Sequence, residues 1–240
     1  MLILAVDTST RTGSAALLRD SQVLAEVSGY EETPYSTRLF HDVAVLQDQA
    51  NFRLEQVDLF AVAAGPGSFT GLRVGLTAVK AWAEVHRRPI AAISGLEAIA
   101  AESLMGVKPI SSNVQFIAPF LDARRGQIFG AIYRRIPDDP MGLALAGEES
   151  ILSLDEFLEL VKGKSHQPIQ LVSPTPDVLP ATRIREILQD VPIVQVSAAL
   201  APAIGRLGFE RAKRGDLVDS IRLDANYVRR SDAESAWKDG

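Results

Sequence analysis

The most distinctive run of residue types in this chain is Gly65-Pro-Gly-Ser-Phe-Thr-Gly-Leu-Arg-Val-Gly75, set between an apolar run and a helical one. Backbone amides in such a loop, at a helix N-terminus, could hold an anion. The spacing rules out the familiar phosphate loops. A Walker A loop needs Lys-Ser or Lys-Thr after its last glycine, where Leu72-Arg73 stands, and a dinucleotide fingerprint needs a third glycine where Thr70 stands. A serine-hydrolase elbow would need glycines two residues either side of Ser68, where Pro66 and Thr70 are found. A tight strand-to-helix turn is the simpler reading.

Two strand-end carboxylates, Asp7 and Asp122, are each followed by a short polar loop and a glycine, at Gly13 and Gly126. Between two lobes they could hold a magnesium ion, although aspartate at a strand end also opens turns. The candidates for a cofactor contact are therefore Asp7, Thr8, Ser9 and Asp122. Metal chemistry finds little else. His41, His86 and His166 lie far apart, none in a His-x-x-x-His pair, and the absence of cysteine excludes disulfides and thiolate sites. No Ser-His-Asp arrangement can be assigned, so no catalytic residue and no metal ligand is expected. Only the pairs Arg87-Arg88, Arg124-Arg125, Arg134-Arg135 and Arg229-Arg230 offer phosphate contacts, and separate basic pairs usually form solvated surface.

Positioning these residues requires an ordered scaffold, and the composition supplies one. The 240 residues carry 25 Lys and Arg against 30 Asp and Glu, a net charge of -5, with 47% hydrophobic residues. At this length folding buries roughly 70–75% of the surface of the unfolded chain. A pI near 5.3 argues against gripping nucleic acid by bulk charge, so any link to RNA is expected through a partner. The opening Met-Leu-Ile-Leu-Ala-Val-Asp is too short an apolar run for a signal peptide or a membrane span. A cytoplasmic protein with no membrane partner is expected.

The hydrophobic periodicity predicts strands at Leu2 to Asp7, Gly13 to Leu18 and Gln22 to Ser28, then a helix over Ser36 to Ala50 capped by Ser36 or Thr37. A strand at Val57 to Ala64, a helix at Gly71 to Arg87, a strand at Pro89 to Ser94 and a helix at Leu96 to Ser103 follow. The second half repeats this order. Its strands are predicted at Asn113 to Asp122, Gln127 to Ile136 and Met141 to Glu148, then a helix at Leu154 to Lys162 capped by Ser153. Strand Pro168 to Val172, helix Val178 to Gln189, strand Pro192 to Val196 and helix Ala198 to Arg214 complete it. Both halves read βββαβαβα, the duplicated ribonuclease H-like, actin-like α/β arrangement. The expected division is an N-terminal lobe over residues 1–104, a C-terminal lobe over 105–215 and a tail over 216–240, packed back on a lobe or mobile.

The helix after the glycine-rich loop carries two apolar stripes, Leu72, Leu76, Val79, Ala83 and Val74, Ala78, Trp82, Val85. Such a helix is covered on two sides. One side suits its own sheet; the other, with Gly71, Gly75 and Ala78 allowing close approach, suits a helix of this chain or of a partner. A helix interior to one domain is the alternative.

Taken together, Asp7-Thr-Ser-Thr10, the Gly65 to Gly75 loop, Ser94-Gly-Leu-Glu-Ala98 and Asp122-Ala-Arg-Arg-Gly126, continuing through Gln127-Ile-Phe-Gly-Ala-Ile-Tyr133, resemble the bacterial TsaB (YeaZ) family. The likeness is close from Met1 to Tyr133, looser at Tyr227-Val-Arg-Arg-Ser231, and one of pattern only between Pro137 and Asp224. It implies the actin-like (ASKHA) fold and a noncatalytic relative of TsaD. With TsaD such proteins make threonylcarbamoyladenosine next to the anticodon of tRNAs that read codons beginning with A. TsaD relatives carry a His-x-x-x-His metal pair, whereas here His41 is followed by Val45, so the chemistry is expected in the partner. An older glycoprotease label for the family meets the same gap.

The resemblance further implies a partner-binding surface on the first lobe's two helices, at Arg38, Leu39, Asp42, Gly71, Leu72, Val74, Gly75, Ala78 and Trp82. The expected partners are a TsaD-like catalytic subunit, a TsaE-like ATPase, tRNA through the complex, and a second copy when the chain is isolated. No cofactor is expected on this chain alone, with ATP or ADP only at a partner interface. Gly75→Arg is expected to break the helix contact. The competing classes are an ATP-dependent kinase or ATPase of the actin-like superfamily using Asp7 and Asp122, and a ribonuclease H-like nuclease, which needs more clustered carboxylates than are visible.

Overall fold

The computed structural model describes residues 1–29, 35–105, 111, 113–136, 139, 142–189, 191–226 and 228. The first half comprises β1 (Leu2–Asp7), β2 (Ser14–Arg19), β3 (Gln22–Ser28), α1 (Tyr35–Ala50), a 3₁₀ turn at Leu54–Gln56, β4 (Leu59–Gly65), α2 (Phe69–His86), β5 (Ile90–Ser94) and α3 (Gly95–Met105). Its sheet has the order β3-β2-β1-β4-β5, antiparallel on one side of β1 and parallel on the other. The central strand β1 is apolar at Leu2 to Val6 because both its faces are covered. Leu4 and Val6 pack with α1 and α2, while Ile3 and Ala5 face the opposite layer.

The second half comprises β6 (Phe116–Arg124), β7 (Gln127–Gly130), β8 (Tyr133–Arg135), β9 (Leu143–Leu145), β10 (Ser150–Ser153), α4 (Leu154–Lys162), β11 (Ile169–Ser173), a 3₁₀ turn at Pro176–Val178, α5 (Ala181–Leu188), β12 (Ile193–Gln195) and α6 (Ala201–Arg214). The order β10-β7-β6-β11-β12 repeats that of the first sheet, with β8 and β9 as a side branch. The duplicated α/β architecture read from the periodicity is thus present.

Strand β6 starts at Phe116 rather than Asn113, α6 starts at Ala201 rather than Ala198, and α1 starts at Tyr35, so the expected caps Ser36 and Thr37 lie within it. Three further predicted elements differ. The strand expected over Gln127 to Ile136 is two strands. Pro119 within β6 has no amide for the ladder, and the facing chain leaves it at Ala131-Ile132 before β8 rejoins β6 at Phe116 and Ile117. The strand expected over Met141 to Glu148 is only the short β9, with Met141 outside the described residues, and β10 beyond it was not expected. The helix expected from Val178 starts at Ala181, because Pro180 lacks an amide and disfavours helix at Leu179.

The last helix of each half packs against the other half's sheet. Helix α3 lies on β6 and β11, and α6 lies on β1, β2, β4 and β5. One continuous core therefore joins Ile3, Ala5, Ala16 and Leu18 of the first sheet, through α3 and α6, to Ile117, Leu121, Phe129 and Val172 of the second. Outside this layer, α1 and α2 cover the first sheet, and α4 and α5 cover the second around Phe116, Phe120 and Phe157. The segment after α6 packs on the first lobe: Val218 bridges Ile90 and Leu223 is buried in its core. Among the described residues no helix is long and apolar enough to cross a membrane.

Candidate functional site

The loop after β1 and the glycine-rich loop form one interlocked unit. Asp7 Oδ1 accepts hydrogen bonds from Ser9 N at 2.7 Å and Ser9 Oγ at 2.6 Å, and its Oδ2 accepts from Thr10 Oγ1 at 3.3 Å. Thr8 Oγ1 donates to Gly71 O at 2.7 Å, and Ser9 O accepts from Ser68 N at 2.8 Å. Ser68 in turn caps α2 by accepting from Gly71 N. Asp7, Thr8 and Ser9 are all buried, and burial pushes the Asp7 carboxyl above its ordinary range against the lowering effect of those hydrogen bonds. The oxygens proposed for a cofactor at these three positions thus bond within the chain itself. Asp122, by contrast, is exposed, with Oδ1 accepting from Arg124 N at 2.7 Å.

The glycines of α2 serve this intrachain contact. A Cβ at Gly71 would lie 2.0 Å from Thr8 O, and one at Gly75 would lie 2.3 Å from Thr8 Oγ1. Seven of the nine residues expected at a partner surface, namely Arg38, Leu39, Asp42, Gly71, Leu72, Gly75 and Ala78, are buried in the lobe. Arg38 pairs with Asp42 at 3.1 Å and donates through Nη2 to Thr12 O at 2.5 Å, holding the β1–β2 loop to α1. Val74 and Trp82 are half-buried and reach the outside. The expectation that Gly75→Arg would probe a partner contact is corrected: the new side chain would first strike Thr8 of its own lobe.

The outward side of the helix pair carries two exposed apolar residues among polar ones. Phe40 on α1 is 55% exposed and Val85 on α2 is 74% exposed. The Phe40 ring meets Trp82 edge-on at 6.0 Å, and Trp82 also packs on the core residue Phe60 at 6.1 Å. Trp82 therefore links the core to an open apolar strip. Phe40 was missing from the expected contact set. Its signal in the sequence is an aromatic residue one position beyond the buried Leu39.

Among the described residues no three His, Cys, Asp or Glu side chains gather as a metal site. His41 and His166 are exposed and His86 closes α2, a favourable place for positive charge. Of the basic pairs, Arg229-Arg230 and the motif from Tyr227 lie outside the described residues apart from Val228.

Residues 33–203 match the family model described as "TsaD: tRNA N6-adenosine threonylcarbamoyltransferase". A Bacillus subtilis protein named tRNA threonylcarbamoyladenosine biosynthesis protein TsaB is 31% identical over 99% of this chain and 98% of its own length. The chain belongs to the TsaB (YeaZ) family. The Escherichia coli protein of the same name is 31% identical over 56% of each chain. The solved structure titled YeaZ from Pseudomonas aeruginosa covers 94% of this chain and 99% of its own, at 24% identity and a TM-score of 0.70. A ROK hexokinase from Thermus thermophilus shares the actin-like fold, with a TM-score of 0.51 over 89% of this chain and 100% of its own. The match to the Bacillus subtilis protein spans nearly the whole chain, the β1 loop, the glycine-rich loop and the α1–α2 pair included.

Proposed function

We propose that this chain is a noncatalytic subunit in the biosynthesis of threonylcarbamoyladenosine next to the anticodon of tRNAs reading codons that begin with A. It binds and supports a TsaD-like catalytic subunit through the outward face of α1 and α2. The observation that carries this reading is the 31% identity to a TsaB protein along 99% of the chain. The apolar strip of Phe40, Trp82 and Val85 supplies a surface, since exposed aromatic and aliphatic neighbours favour a cover. The inward-turned Asp7 supports a role without catalysis, because a carboxylate already bonded to Ser9 and Thr10 offers little to a magnesium ion. A TsaE-like ATPase is a further partner, ATP or ADP belongs to a partner interface, tRNA is reached through the assembly, the chain works in the cytoplasm, and the same strip pairs two copies when the chain is isolated.

The test uses Phe40→Asp and Val85→Glu together, both at exposed positions that leave the core intact. Co-purification with the TsaD-like protein of the same cell is expected to fall at least tenfold, and the isolated variant is expected to sediment as a monomer. Undiminished co-purification by a variant with a wild-type melting curve sinks the docking assignment. A saturable calorimetric response of the chain alone to Mg-ATP would favour the kinase-like alternative that uses Asp7 and Asp122.

A further inference from the structure

The junction between the lobes is held at both ends of one short segment. At its start, Arg211 at the end of α6 donates through Nη2 to both oxygens of Glu97 on α3, at 3.1 and 2.9 Å, and through Nη1 to Asp216. The chain then bridges β5 at Val218, bonds Glu84 near the end of α2 through Ser220, and buries Leu223 among the core residues of the first lobe. At its end, Asn226 N donates to Ala64 O at 2.7 Å, and Asn226 Nδ2 donates to Glu149 Oε2 at 2.6 Å. Asn226 O lies so near Gly65 that a Cβ there would stand 2.6 Å from it.

Glu149 collects three donors from three parts of the molecule. Ser94 Oγ comes from the end of β5 in the first lobe, and Tyr133 OH comes from β8 in the second, at 2.5 Å. Asn226 comes from the segment beyond α6. Burial and the adjacent Glu149 carboxylate push the Tyr133 phenol up, so it stays a donor at neutral pH. Ser94 also accepts from Leu96 N and Glu97 N, so the carboxylate sits by the start of α3. Removing Glu149 would leave the buried Tyr133 hydroxyl without its acceptor, which costs more than the bond gains, whereas Asn226 is open to water.

We propose that residues 216–226 form a strap that locks the two lobes at a fixed angle, and that Glu149, bonded to Ser94, Tyr133 and Asn226, is the residue on which the lock closes. The lock adds a polar clamp at the edge of the continuous core that α3 and α6 build between the halves. It stands apart from the partner reading, since all its contacts lie within this chain.

Asn226 is exposed, so Asn226→Asp places a second carboxylate against Glu149 without disturbing the core. The chain contains no cysteine, so nitroxide labels can be attached cleanly at Gln22→Cys on the first lobe and Glu159→Cys on the second. The unmodified lock is expected to give one narrow inter-label distance distribution by double electron–electron resonance. In Asn226→Asp, and in Glu149→Ala, that distribution is expected to broaden at least twofold. The amides of Val218 and Asn226 are expected to exchange with deuterium at least tenfold faster. Faster exchange in the segment with an unchanged inter-lobe distribution overturns the lock, as does an unchanged result in both measurements. Should Glu149→Ala fail to fold, Asn226→Asp alone decides.

Discussion

At the scale of single residues, Asp7 shows what burial does to a carboxyl group. It is enclosed at the end of β1, and burial raises its pKa while Ser9 and Thr10 oppose the rise. The folded chain therefore keeps a proton that the unfolded chain releases above the ordinary value of 3.8. Stability that belongs to protonated Asp7 is present below that value and is lost as pH rises through the raised folded value. Asp7→Asn removes this loss and keeps a carbonyl oxygen to accept from Ser9. Relative to the parent, the variant is expected to gain stability in urea unfolding as pH rises from the ordinary carboxylate value of 3.8 towards neutrality. A stability difference that is flat across that window contradicts the assignment of Asp7 as a strained acid. In the sequence Asp7 looked like a metal candidate because type and position alone do not reveal which way its oxygens are bonded.

At the scale of elements, α2 is informative because its inner and outer faces differ so sharply. Val79 is fully buried against the first sheet, whereas Val85, six residues on, is 74% exposed. Val79→Ala is expected to cost about 2 kcal/mol through lost burial and an unfilled cavity. Val85→Ala is expected to stay within about 0.5 kcal/mol. Thermal melts of both variants check the pair, and equal losses would mean that the outer face is covered after all. The periodicity showed two apolar stripes on α2, and it located α1, α2, β1 and β3 within one or two residues. It could not say what covers each stripe. The close approach of Gly71 and Gly75 is to Thr8 of the same lobe, a contact sixty-odd residues away along the chain that no local pattern encodes. The split of β7 from β8 was hidden for a similar reason, since Gly130-Ala131-Ile132 holds no strong turn signal and the break answers Pro119 on the facing strand. Ser153, in contrast, was legible: its reciprocal bonds with Glu156 form the capping box that its spacing announces.

At the scale of the whole molecule, the two halves share their covering helices. The inner face of the first sheet, with Ile3, Ala5, Ala16, Leu18 and Leu59, is closed by α6 from the second half, and α3 performs the same service in return. A fragment of residues 1–104, the N-terminal lobe expected from the sequence, therefore lacks a cover for half its sheet. Expressed alone it is expected to be insoluble, or to bind a hydrophobic dye and unfold without a cooperative transition. A sharp, reversible melt from that fragment would show that the lobe is self-sufficient. The topology was readable from the repeated βββαβαβα pattern, but the exchange of helices was not, because the two sheets and their order leave open which sheet each final helix meets.

That exchange also bears on how the polypeptide emerges during translation. Strand β5 ends at Ser94 and α6 begins at Ala201, so roughly a hundred residues must be synthesised before the first sheet meets its roof. At ordinary elongation rates that delay is on the order of ten seconds, far longer than collapse of a small chain requires. During this interval a nascent apolar surface faces the ribosome's surroundings, which makes the early half of this polypeptide a natural client for holding chaperones until its final helix is released.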